Sequence, residues 1–148
     1  MDYTTAFAIS RTGMEIERTR LDVVALNLAN ANTIAGPDGE LYQPLRVLAE
    51  MRSPRSFAFH MGNALGRMTL DGGSGIRSVS PMDVEPRRVY EPGHPAANES
   101  GFVEYPNVNP VSEMLELIDA TRAYEANIRA LNAAKSMALA ALEIGRNT

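Results

Sequence analysis

No cysteine and no tryptophan occur in the 148 residues, and five Tyr and four Phe are the only aromatic side chains. Without cysteine there is no disulfide framework and no thiolate chemistry. There is no basic excess either: 14 Lys and Arg stand against 18 Asp and Glu, a net charge of −4. That balance argues against nucleic acid as a partner, because phosphate-backbone binding needs clustered positive charge. Arg11, Arg18 and Arg20 alternate with Glu15, Glu17 and Asp22 and so make a solvated face, not a basic patch. A membrane-crossing helix needs about 20 predominantly apolar residues. Arg122, Glu125, Arg129, Lys135 and Glu143 interrupt the most apolar stretch and leave no such window. The opening MDYTTAFAIS has neither the basic start nor the apolar run of a secretory signal.

Catalytic and metal-binding patterns are equally sparse. The two histidines, His60 and His94, stand far apart without a metal-spaced partner, and His94 between Gly93 and Pro95 is expected to be an exposed loop residue. Asp71, Asp83 and Glu85 lie in turn-like polar surroundings that suit solvated charge better than acid–base work. Gly72-Gly73-Ser74-Gly75 has no Lys and no following helix to make a phosphate loop, and no strand-to-helix elbow surrounds Ser74. Met14, Met114 and Met137 fall on helical stretches and are packing residues. No enzyme activity, cofactor or metal is expected.

What the chain does contain is periodicity at both ends. From Asn109 to Gly145 there is no interior Gly, and Pro110 is the only proline, which predicts one helix of roughly 50 Å. Asn109 is placed to cap it, with Pro110 at the first helical position, Glu113 and Glu116 near its positive end, and Gly145 to stop it. Met114, Leu117, Thr121, Tyr124, Ile128, Leu131, Ala138 and Leu142 follow 3–4 spacing, broken once by Lys135. A sustained seven-residue repeat predicts a left-handed supercoil. Residues 3 to 31 show the same habit in two rows, Phe7-Met14-Leu21-Leu28 and Ile9-Ile16-Val23-Asn30, with Gly13 as a weak point. Each helix needs a partner, and the economical arrangement pairs them with each other. Asn27 and Asn30 share one face of the first helix; they are either helix-end caps or buried amides that fix register.

Between these arms the texture changes to short alternating runs: Leu45–Leu48, Ile76–Val79, Arg87–Tyr90 and Phe102–Tyr105, split by turns. Gly36-Pro37-Asp38-Gly39 marks one turn, Asp71 to Gly75 a mobile tip, and Glu91 to Gly101 a stiff loop. The predicted fold is mainly α with a small irregular β module, its long N- and C-terminal helices paired as a coiled-coil hairpin. The arms are residues 1–35 and 109–148, and the β module is 36–108 with a flexible insert at 54–75.

Several of these stretches together resemble one family. Val23-Val24-Ala25-Leu26-Asn27-Leu28-Ala29-Asn30-Ala31-Asn32-Thr33 is similar to the N-terminal signature of bacterial flagellar rod and hook proteins. Pro86 to Pro95, Gly101 to Asn109, Arg122 to Asn127 and Leu131 to Met137 resemble the proximal-rod branch of that family. Gln43-Pro44-Leu45 departs from the basic cluster frequent there, and 54–75 matches no stretch that can be placed in it. The resemblance implies a structural subunit of the periplasmic rod of the basal body, exported by the flagellar type III route without a cleavable signal peptide. It implies a helical assembly whose hollow shaft transmits torque. It also implies, as partners, copies of the chain and other rod proteins, and beyond them the MS-ring and export-gate-proximal components. On that footing Asn27, Leu28, Asn30, Asn32, Leu117, Tyr124, Ile128, Leu131, Met137 and Leu142 are the candidate assembly residues. The competing possibility is a helical-hairpin adaptor that does not polymerise.

Overall fold

In the computed structural model, residues 3–35, 40–51 and 74–146 are described. The Gly36–Gly39 turn, the insert as far as residue 73, His60 and Asp71 lie outside the described residues. Two helices dominate: α1 (Tyr3–Asn30) and α2 (Pro110–Arg146). At 1.5 Å per residue they are about 42 and 55 Å long.

Local chemistry explains the bounds of both. Asn109 Oδ1 accepts from the Val111 N–H at 3.0 Å and the Ser112 N–H at 3.4 Å, capping α2 with Pro110 as its first residue. Gly145 does not stop α2, which runs on to Arg146. At the end of α1, Asn30 Nδ2 donates to the Leu26 carbonyl, and Thr33 returns both its N–H and its hydroxyl to the Asn30 carbonyl. Asn30 therefore plays the capping role.

Two contacts fix how the helices pair. Asn127 lies against Gly13, where a Cβ would come within 2.8 Å of its amide, and Glu113 bonds Asn27. Fourteen residues separate both members on each helix, so the pair is an antiparallel hairpin in constant register. Gly13 causes no break in α1 and permits a close approach of α2.

The inward row of α2 is Glu113, Leu117, Ala120, Tyr124, Asn127, Leu131, Ala134 and Ala138, all buried or half-buried at alternating spacings of four and three. This corrects half of the row expected from apolar spacing. Leu117, Tyr124, Leu131 and Ala138 belong to it. Met114 does not and is 56 % exposed. Ala134, and not exposed Lys135, occupies the inward position, which removes the apparent break. On α1 the buried residues are Ser10, Ile16, Val23, Val24 and Asn27, whereas Ile9 is exposed and Phe7, Met14, Leu21 and Leu28 are half-buried flanks.

The β module consists of two separate antiparallel pairs, β1 (Leu45–Met51) with β2 (Ser74–Pro81) and β3 (Arg87–Tyr90) with β4 (Phe102–Tyr105). All four predicted runs are strands. Ser74 and Gly75 open β2 opposite Met51 and Glu50, so they are not part of a loop tip. The first pair packs on α1. Between β3 and β4 the chain is tightly bonded: Asn98 Oδ1 accepts from Ser100 and Phe102, and Gly101 takes φ +79° against Tyr90 and Pro92. His94 is half-buried there, not exposed, with Nδ1 accepting from the Ala96 N–H at 3.1 Å.

Candidate functional site

Where α1 ends, α2 begins and β1 starts, four side chains meet. Asn27 is 0 % exposed and Glu113 2 %. Asn27 Nδ2 donates to Glu113 Oε2 and to the Leu45 carbonyl, each at 3.0 Å. Its Oδ1 accepts from the Leu45 N–H at 2.9 Å and the Tyr42 hydroxyl at 2.8 Å. A carboxamide offers two donors and two acceptor lone pairs, so Asn27 is fully used. It treats Leu45 as a neighbouring strand would, matching both its N–H and its C=O.

The second Glu113 oxygen accepts from Arg46 Nη2 at 2.6 Å, and Arg46 Nη1 lies 3.6 Å from Glu116 Oε2. Charge-assisted bonds of this kind are short and strong. The hydrogen bond to Glu113 raises the Arg46 pKa above its ordinary value, against the opposing effect of burial. Burial raises the Tyr42 pKa, and the nearby Glu113 charge adds to it. These groups are held, not poised: each acid faces a base or an amide, and nothing in the cluster is free to attack a substrate. Among the described residues no group of three His, Cys, Asp or Glu could hold a metal ion. Asp83 and Glu85 are exposed beside an open groove.

A second feature is the apolar surface the hairpin leaves uncovered. Val111, Leu115, Ile118, Met137 and Ile144 lie on the side of α2 turned away from α1, and all are exposed. The register puts Tyr3 level with residue 137, so the last nine residues of α2, roughly 14 Å, extend past the start of α1. Leu142, four residues beyond Ala138, is 71 % exposed, and no α1 residue reaches its level. These exposed apolar residues form two patches, Val111 to Ile118 and Met137 to Ile144, separated on this side of α2 by exposed Arg122, Glu125 and Arg129. Isolated exposed apolar residues are ordinary; grouped ones are not.

The sequence-derived candidates divide between these features. Asn27 is in the polar node. Leu28, Asn30, Leu117, Tyr124, Ile128 and Leu131 are half-buried along the hairpin, and Asn32, Met137 and Leu142 are exposed. Periodicity alone passed over Tyr42, Arg46 and Asn127, and took Glu113 only as a dipole partner. The one available signal was that Glu113, Ala120, Asn127 and Ala134 recur every seven residues, a row hidden by its polar and small members.

Comparison with known proteins places the chain among similar sequences along nearly its whole length. The family described as flagellar basal body rod FlgEFG protein C-terminal matches residues 99–144. The flagellar basal-body rod protein FlgC of Salmonella typhimurium is 39 % identical over 140 residues, covering 95 % of this chain and 96 % of that protein. FlgC of Bacillus subtilis is 36 % identical over 142 residues, covering 93 % and 95 %. FlgC of Borreliella burgdorferi is 34 % identical over 156 aligned positions, covering 97 % and 98 %.

Proposed function

The chain belongs to the FlgC family of flagellar basal-body rod proteins, a structural component of the rod and not an enzyme, and from that premise we propose that it assembles through its two helical arms into a hollow, torque-transmitting shaft. The observation that carries the proposal is the uncovered apolar surface of α2, above all Leu142 and Ile144, 71 % and 73 % exposed.

In this reading the arms, 1–35 and 109–148, form the inner wall, and residues 36–108 stand outside it. Leu28, Leu117, Tyr124, Ile128 and Leu131 supercoil the arm pair as a coiled coil. Asn27 and Asn30 set the end of α1 that Asn32 follows, and Met137 and Leu142 reach adjacent subunits. Such contacts are heterologous, joining different patches, and so extend without closing on a dimer. At about 25 cal/mol per Å2, a few hundred Å2 per neighbour amounts to several kcal/mol, repeated around a ring. Close-packed interiors resist twist, which is what a drive shaft requires.

The partners in this reading are copies of this chain and other rod proteins, then the MS-ring and export-gate-proximal components. In this reading the rod lies in the periplasm, and the chain arrives by type III export. No helix among the described residues is long and apolar enough to cross a membrane. Leu115→Glu and Leu142→Glu test the reading in motile cells. Both variants should be made, keep the melting temperature of the isolated chain, and abolish rod assembly and swimming. Normal swimming by both would overturn it.

A further inference from the structure

We propose that Asn27, Arg46 and Glu113 form a closure latch that makes docking of the β1 start and pairing of this end of the two helices a single event. The inference does not depend on what the assembled arm contacts. It rests on where the node's bonds go.

Three of the four Asn27 hydrogen bonds go to the segment that starts β1: two to the Leu45 backbone and one to the Tyr42 hydroxyl. The positive partner of Glu113 also comes from that segment, as Arg46. Yet Asn27 and Glu113 themselves belong to α1 and α2 and are sealed at 0 % and 2 % exposure. Helices that paired here without β1 would leave the Asn27 amide with one of its four bonds and Glu113 without its cation. Buried groups stripped of partners are heavily penalised. Conversely, β1 docked on α1 alone would leave Arg46 without Glu113 and Glu116. Each half-formed state forfeits part of the node, and only the complete one makes all of its bonds.

Leucine at both positions would bring the helices together with no such dependence, so the polar pair makes closure conditional. A chain whose β1 start is displaced keeps its arm open.

Hydrogen exchange read by mass spectrometry on the full chain tests this. In the wild type, segments 21–30, 45–51 and 111–120 should share one opening constant. Arg46→Met should raise opening of all three together, by about 100-fold, while segment 8–17 rises less. Arg46→Lys, which keeps the charge, should recover part of the loss. Asn27→Leu/Glu113→Leu should uncouple them, with 45–51 exchanging at least tenfold faster than 21–30. If the isolated chain protects none of the three, added sucrose should restore them at one concentration. The proposal is overturned if Arg46→Met loosens 45–51 alone. It is overturned equally if the double variant leaves the three segments equal, or if sucrose restores them one at a time.

Discussion

Asn27 and Glu113 are 86 residues apart in sequence and meet with Nδ2 3.0 Å from Oε2. That bond joins the two long helices and, with the Gly13–Asn127 contact, sets their register. The polar node, more than the apolar seam, decides which residues of α2 face inward.

Replacing Asn27 is therefore expensive. Asn27→Leu orphans the Leu45 N–H, the Leu45 carbonyl and one Glu113 oxygen together. At about 1–3 kcal/mol for each stranded group, the loss should reach at least 3 kcal/mol. Asn27→Asp should cost more, because it sets a second carboxylate beside Glu113 Oε2. Chemical denaturation of the two variants against wild type checks both the size and the order.

Tyr42 gives the fold an alkaline limit. Its pKa is raised from 10.0 by burial first and by Glu113 second. Above that value the unfolded chain loses the phenol proton while the folded chain keeps it, so the folded state binds more protons and stability falls as pH rises. The contribution is whole below pH 10.0 and disappears as pH climbs from there through the raised pKa. Melting temperature from pH 9 upward should fall more steeply for wild type than for Tyr42→Phe. At neutral pH the variant should lose only about 1 kcal/mol, since Asn27 Oδ1 keeps the Leu45 N–H.

Gly13 and Asn127 should be energetically coupled. Alanine at 13 gains about 1 kcal/mol of helix propensity, but its Cβ would meet the Asn127 amide at 2.8 Å. In the Asn127→Ala background that obstacle is gone. Gly13→Ala should then stabilise by about 1 kcal/mol, and in the native background by clearly less. A double-mutant cycle by thermal melting measures the difference.

Gly101 holds the turn before β4 at φ +79°. A Cβ there would approach Tyr90 Cε2 to 2.8 Å and Pro92 Cβ to 3.2 Å. Gly101→Ala should cost about 1–2 kcal/mol from the left-handed backbone alone. It should also disturb the Tyr90–Phe102 edge contact, with centroids 5.3 Å apart. Ring chemical shifts of Tyr90 and Phe102 report this locally, while signals of α2 beyond Tyr124 should stay unchanged.

Much of this fold was legible in the chain. The long helices, the Asn109-Pro110 start and the four strands follow from spacing and from residues whose local chemistry admits few alternatives. The inward row of α2 was not, because apolar content is the usual guide to burial and here it misleads. Glu113 and Asn127 are polar, Ala120 and Ala134 are small, and Met114 and Leu142 are large, apolar and exposed. Nor could spacing join Arg46 to Glu113 across 67 residues. That pairing exists only once the helices and β1 have converged. Of the two asparagines, sequence left both roles open for each. A tertiary contact gives Asn27 the buried role, and a local bond to the Leu26 carbonyl makes Asn30 the cap.

The account stands on the uncovered surface of α2 being covered in the rod. Imaging intact basal bodies at side-chain resolution tests this most directly. Leu115, Leu142 and Ile144 should each lie within 4.5 Å of apolar side chains from adjacent subunits, the ordinary contact distance of about 4.0–4.5 Å. Finding those three side chains facing water, with subunits joined through residues 36–108 instead, would contradict it.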